Sequence, residues 1–249
     1  EDIKSLLTQL KQALTAKDSL AEQAIYYKLG LTSARKNEFD EAIHYLEQAL
    51  QATYTNKDRL SEGNVCNELS KIYEAKKDDD NALLYLEKAL TIRKELNDNA
   101  GIAACLNNIA GIHHNHGHYE KALAHLEKSR RLMQETGNSQ GEAATLSNMA
   151  TIANASDDYD NALTYLQQSL TIQREIGSRA DESVTLTSIG QIYKGKEEYQ
   201  QALEAMAQSL EIRRELSDKV GESTTLNEMA TVLDNMGRSE DALACLDES

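Results

Sequence analysis

The sequence predicts an all-α fold, a solenoid of tandem antiparallel helix hairpins. Three observations carry this. First, the phrase DEAIHYLEQAL at Asp40 returns as DNALLYLEKAL at Asp80, EKALAHLEKSR at Glu120, DNALTYLQQSL at Asp160, QQALEAMAQSL at Gln200 and the clipped EDALACLDES at Glu240, a fixed period of 40 residues. A period of that length marks a supersecondary unit that buries its apolar face only against its neighbours. Second, the 249 residues contain no proline and 12 glycines, and they are rich in Ala, Leu, Glu, Gln and Lys, which favour helix. Third, apolar residues recur at helical spacing in two runs per unit.

The unit 101–140 shows the two elements in order. In GIAACLNNIAGIHHNHG, Ile102, Leu106 and Ile109 share one helix face, and Gly117 ends the run. This is helix A. In YEKALAHLEKSRRLMQE, Tyr119, Leu123, Leu126 and Leu132 share a face, and Thr136, Gly137 and Asn138 form the stop. This is helix B. The chain therefore reads as a single array over 1–249: a leading helix B in 1–20, full repeats 21–60, 61–100, 101–140, 141–180 and 181–220, and a truncated repeat 221–249.

Columns across the repeats show what packing demands. Leu29, Leu69, Ile109, Met149, Ile189 and Met229 are large, and each is followed by a small residue: Gly30, Ser70, Ala110, Ala150, Gly190, Ala230. Helix B holds Ala42, Ala82, Ala122, Ala162, Ala202 and Ala242, then Ala49, Ala89, Ser129, Ser169, Ser209 and Ser249. Small residues at fixed places let the two helices approach closely. Leu46, Leu86, Leu126, Leu166, Met206 and Leu246 fill the core, and Phe39, Tyr119, Tyr159 and Tyr199 open helix B, where Asp79 and Ser239 depart from the aromatic column.

The order of these columns resembles the tetratricopeptide repeat (TPR): large then small, a tyrosine in some units (Tyr73, Tyr193), a glycine two before an aromatic (Gly117, Tyr119), and two small residues seven apart (Ala82, Ala89). The resemblance covers nearly the whole chain. The unit is longer than the 34-residue form, the proline that usually closes helix B is missing, and Tyr26, Cys66, Leu106, Leu146, Leu186 and Leu226 stand where a Trp is common. The extra residues imply a longer helix B running through IRKELND, IQREIGS and IRRELSD. The 40-residue style resembles kinesin light chains, spindle-orientation scaffolds and bacterial signalling arrays. The family implies a right-handed superhelix with helix A lining a concave groove.

Carried over, the groove residues are Tyr27, Lys28, Asn67, Glu68, Asn107, Asn108, Ser147, Asn148, Thr187, Ser188, Asn227 and Glu228, then Lys71, Thr151, Gln191 and Thr231, then Glu74, His114, Asn154, Lys194 and Asp234. An asparagine offers both donors and an acceptor. A run of them at solenoid spacing suits the backbone of an extended peptide, whatever its side chains. The family's carboxylate clamp is poorly matched, because Lys28, Lys71 and Lys194 are scattered among Glu68, Glu74 and Glu228.

Other motifs carry less. His113, His114, His116 and His118, with His125, could suggest a metal, yet no HExxH motif or cysteine pair supports a closed site. They read as a packed residue and a solvated turn. Asp78, Asp79 and Asp80 lack the calcium-loop frame and read as charge at a helix N-terminus. Glu95, Glu135, Glu175 and Glu215, near Arg93, Arg174, Arg213 and Arg214, recur with the fold period and read as structural ion pairs. Catalytic motifs are absent, so no enzyme, cofactor or metal is expected.

A net charge of −15 argues against a nucleic-acid partner. No apolar run approaches a membrane span, so no membrane partner is expected. Cys66, Cys105 and Cys245 look like small core residues in a reducing compartment, and a cytoplasmic location is expected. Both ends fall mid-unit, and Leu6, Leu7, Leu10, Leu243 and Leu246 would lack cover there. A piece of a longer protein is the first expectation; stacking on another chain is the second. The function expected is a non-catalytic protein–protein interaction scaffold holding an extended peptide or partner helix in the groove. The alternatives are a sensor or regulatory arm of a larger signalling protein or protease, and an array that self-associates end to end.

Overall fold

A computed structural model describes residues 2–248; Glu1, and Ser249 of the second small column of helix B, lie outside the described residues. The described residues form thirteen helices and no strand. The chain divides into two compact units, one ending at His118 and one beginning at Tyr119. The first holds α1 (Ile3–Ala16), α2 (Ser19–Arg35), α3 (Phe39–Asn56), α4 (Arg59–Ala75), α5 (Asp79–Glu95) and α6 (Asn99–Asn115). The second holds α7 (Tyr119–Glu135), α8 (Ser139–Ala155), α9 (Tyr159–Glu175), α10 (Arg179–Gly195), α11 (Tyr199–Glu215), α12 (Lys219–Asn235) and α13 (Ser239–Glu248). Within each unit, consecutive helices pack as antiparallel hairpins, the all-α solenoid that the period predicts.

Helices of the A and B kinds are equally long: α4 and α5 have 17 residues each, as do α8 and α9. Helix B runs through Ile92, Arg93, Lys94 and Glu95 of IRKELND and leaves out its last three residues. Helix α5 stops at Glu95, because Asn97 turns left-handed at φ 53° and sends the Asp98 N–H back to the Arg93 carbonyl at 2.9 Å. The same closure recurs every 20 residues. Glycine supplies it at Gly117, Gly137, Gly177 and Gly237, while Lys57, Lys77, Asp157 and Glu197 are among the other residues that adopt it.

Many helices are capped as they start, though α3, α10 and α11 have no side-chain cap. Asp58, Asp78, Asp98, Asp158 and Asp218 stand one residue before a helix and accept the backbone N–H three residues on. Such a cap is worth about 1 kcal/mol. Asp78 thus caps α5 with Asp79 and Asp80 in its first turn, the charge arrangement expected there.

The core follows the columns. Leu29, Leu46, Leu69, Ala42, Ala82, Ala162 and Ala202 are fully buried. Two expectations need correction. Leu6 and Leu10 are not bare: they are buried, with Ala13, against Ile25 and Leu29 of α2, because α1 is amphipathic and α2 gives it a partner. Leu7, Leu243 and Leu246 are exposed. The recurrent glutamates also pair differently from their sequence neighbours. Glu95 meets Arg59, and Glu215 meets Arg179 at 2.7 Å, while Arg174 and Arg214 reach forward to Glu182 and Glu222, each at 2.8 Å. Helix B thus ties its C-terminal end to a helix A.

Cys66 and Cys105 are buried, and burial pushes the Cys66 thiol up to about 11 and raises that of Cys105. Cys245 is half-buried on the last helix. Burial, with the Glu248 and Asp241 carboxylates, raises the Cys245 thiol as well, so it is its greater access that should let a thiol-specific reagent at pH 8 modify Cys245 at least roughly tenfold faster than the other two. Peptide mapping after a timed quench reads this directly, and equal labelling of all three would show that the hairpin cores open readily.

Candidate functional site

Helix A offers two kinds of position beside its large–small core pair. One leans toward the neighbouring helix B and the other faces outward. The column Asn67, Ser147, Thr187 leans inward. Ser147 is half-buried and its hydroxyl lies 3.1 Å from both the Ala143 carbonyl and Ser169 Oγ. Thr187 is fully inside, 3.1 Å from the Ser183 carbonyl and 2.8 Å from Ser209 Oγ. Thr187 therefore does not face a groove. A threonine here satisfies its hydroxyl within the hairpin, so it braces helix A against helix B.

In the first unit, Tyr27 and Lys28 line a cleft of 230 Å³ with Gln23, Ala24, Ser61, Asn64 and Val65. Burial, with the charge of Glu68, raises the Tyr27 hydroxyl pKa. Asn108 Nδ2 donates to Asn67 Oδ1 at 3.4 Å, joining α6 to α4 through two expected asparagines. Lys71 pairs with Glu68 at 2.7 Å, so this face is close to neutral locally. Asn107 is half-buried, and its Oδ1 is sealed without a hydrogen-bond partner. His114 is half-buried on the last turn of α6. His116 meets Asp79 at 2.7 Å. Among the described residues no cluster of three or more His, Cys, Asp or Glu is arranged to hold a metal ion.

In the second unit, six expected residues come together, Asn154 among them. Ser147, Asn148, Thr151, Ser188 and Gln191 line one cleft of 320 Å³ between α8 and α10, with Asn154, Val184 and Thr185 on its sides and Ala150, Leu166 and Ile192 at its base. An adjoining hollow of 240 Å³ shares Ser147, Asn148, Val184 and Thr185 and is completed by Gln140, Ala143, Ala144, Gln173 and Asp181. Val184 is 56 % exposed. The arrangement is a trough with an apolar floor and amide and hydroxyl walls, suited to a ligand that needs both. Asn227 and Glu228, on α12, lie outside it; Glu228 takes the ammonium of Lys194 at 2.9 Å.

The adjoining hollow is not evident from helix A alone. Gln173 stands on helix B, in the column Thr53, Arg93, Met133, Gln173, Arg213. Its signal in the sequence is a covariation. Where that column carries Arg93, Met133 or Arg213, the facing helix A has Gly101, Gly141 or Gly221, whose missing Cβ would lie 2.9 Å or less from the long side chain. Gln173 instead faces Asp181, and a hollow results.

No curated protein sequence matches the chain. Solved structures do. The chain is similar to BtubC (BKLC) from P. vanneervenii, with a TM-score of 0.72 and 21% identity over 86% of this chain and 91% of that one. It is similar to aspartyl phosphate phosphatase F from Bacillus subtilis, with a TM-score of 0.77 and 16% identity over 100% of this chain and 74% of that one. It also resembles a signal transduction ATPase with numerous domains and a tetratricopeptide repeat sensor from Pyrococcus horikoshii, with a TM-score of 0.72 and 15% identity, covering 89% of this chain and 34% of that one. At these identities the likeness is one of fold. The sequence profile of the tetratricopeptide repeat matches residues 21–95, 61–135, 101–175, 141–215 and 181–249 in overlapping pairs of repeats. With a 40-residue period, thirteen helices in hairpin order and profile matches in every repeat, the chain belongs to the tetratricopeptide repeat family.

Proposed function

We propose that this chain is a non-catalytic protein-interaction scaffold, a single array over 1–249 that holds an extended peptide or a partner's helix against its helix A faces. One observation carries the proposal: Ser147, Asn148, Thr151, Ser188 and Gln191 converge on one trough between α8 and α10. An extended peptide presents a donor and an acceptor at each residue, and Asn and Gln side chains can meet both. The apolar floor of Ala150, Leu166 and Ile192 suits alternate side chains. Repeat solenoids characteristically bind along such surfaces. The buried free thiols of Cys66 and Cys105 fit a reducing, cytoplasmic setting.

The test is a double variant. Asn148→Ala with Gln191→Ala is expected to weaken partner capture from a source-cell lysate by roughly tenfold or more, since each lost amide contact is worth about 1 kcal/mol. Thermal stability should hold, because surface changes usually stay within about 0.5 kcal/mol. Undiminished capture of the same partner by the double variant would place binding elsewhere.

A second role is favoured by the P. horikoshii relative, whose repeat array is a sensor within a longer chain. Here the trough would hold a segment of the same polypeptide, as the regulatory arm of a larger protein. The double variant separates the two: a regulatory arm would show altered activity of the attached domain and no change in capture.

A further inference from the structure

We infer that the hollow between α8 and α10 is a subsite for an arginine side chain of the bound peptide; this rests on the groove binding proposed above. Gln173 is only 4 % exposed, yet its Oε1 has no hydrogen-bond partner. The direction of this amide is fixed by its neighbours. The Ser169 hydroxyl spends its one proton on the Ala143 carbonyl at 2.9 Å, so toward Gln173 it can only accept. It accepts from Gln173 Nε2 at 3.1 Å. The nitrogen therefore faces Ser169, and the amide oxygen is left as an acceptor with nothing to accept. A buried polar atom in that state is destabilising until it is paired.

The same hollow is lined by Asp181, whose carboxylate takes hydrogen bonds from Gln140 Nε2 and Ser178 Oγ, each at 2.6 Å. Both donors are neutral, so its charge is uncompensated by them. It is the only charged side chain lining either the hollow or the adjoining cleft. The requirement is thus for a positively charged group with several N–H donors. A guanidinium presents five donors in a planar fork and accepts nothing, so it can serve two acceptors at once. An ammonium concentrates its charge at one point. The Val184 side chain, 56 % exposed at the junction of the two hollows, and the adjacent Ala144 offer an apolar wall for the methylenes. The terminal torsion of Gln173 is soft, so a small rotation brings Oε1 to an incoming donor. The neighbouring hairpins are already filled at the equivalent place. There Arg213, on the same column, extends to Ser209 Oγ at 3.2 Å and occupies the space that Gly221 leaves.

The test uses the full chain, isotopically labelled, titrated with the tripeptide N-acetyl-Ala-Arg-Ala-amide and with its citrulline counterpart, which keeps the shape and loses the charge. Saturable shifts are expected in residues 140–148 and 181–192 and in the Gln173 side-chain amide, with the citrulline peptide at least roughly tenfold weaker. Asp181→Asn should weaken the arginine peptide by a similar factor. Gln173→Met, which places at 173 the residue that Met133 already is in that column, should also weaken it while leaving the backbone spectrum folded. Equal binding of the citrulline peptide, an undiminished response in Asp181→Asn, or no saturable shift at these residues would overturn the subsite. Those results would leave the groove itself standing if partner capture still depends on Asn148 and Gln191. Capture independent of both residues removes the groove together with its subsite.

Discussion

Leu46→Ala is expected to destabilise the first unit by about 3–4 kcal/mol, in the upper part of the range for buried leucines. Leu46 is fully buried, flanked on its own helix by Ala42 and Ala49, and it fills the space above Gly30. A Cβ built at Gly30 would lie 2.5 Å from Leu46 Cγ. Collapse into the vacated space would bring α2 and α3 closer together, and the Ala42 carbonyl already stands 3.3 Å from that point. With the backbones already near contact, the cavity should persist, and its cost adds to the lost transfer energy. Repeat arrays need not unfold in one step, so amide exchange in α2 and α3 is the measurement of choice. A loss below about 1 kcal/mol there would mean that the hairpin relaxes more freely than its small columns suggest.

Gly190→Val should cost about 3 kcal/mol in the second unit, whereas Gly190→Ala should be close to neutral. A Cβ at this point meets Met206 Cγ at 2.7 Å and the Ala202 carbonyl at 3.1 Å. Methionine can move aside, but the backbone carbonyl cannot. Alanine gains about 1 kcal/mol in helix propensity, which offsets the displacement of Met206, and Ala150 and Ala230 already occupy the same column. A branched residue adds a second carbon on the same crowded side with little rotamer freedom. Thermal denaturation of the two variants decides it: equal melting temperatures would show that helix separation is not limited at Gly190.

The period and the columns made the fold legible, because every repeat solves the same packing problem. Ala162 and Leu166 are buried for the reason that Ala42 and Leu46 are. The candidate site was legible only in part. Carrying groove positions along helix A found Ser147, Asn148, Thr151, Ser188 and Gln191, which share a trough, but it also included Thr187, which is buried. The difference between Ser188 and Thr187 is a rotation of about 100° around the helix, and threonine's readiness to bond its own backbone hides which side it takes. Gln173 and Asp181 were missed for a different reason. They belong to facing helices, and their hollow arises from a pairing of sizes between columns, not from either column alone. The cover over Leu6 and Leu10 was missed because α1 finds its partner in a helix of the following repeat.

Locality has a mechanical consequence. The side-chain hydrogen bonds between neighbouring repeats span about one period, as in Asn108 to Asn67 and Gln140 to Asp181, 41 residues apart. Stretched, such a chain should come apart in small equal steps, since each hairpin can detach without first breaking bonds held elsewhere. Each 40-residue unit would release about 140 Å of extended polypeptide, from 3.3–3.6 Å per residue. Single-molecule pulling would then show an evenly spaced staircase in place of one large rupture.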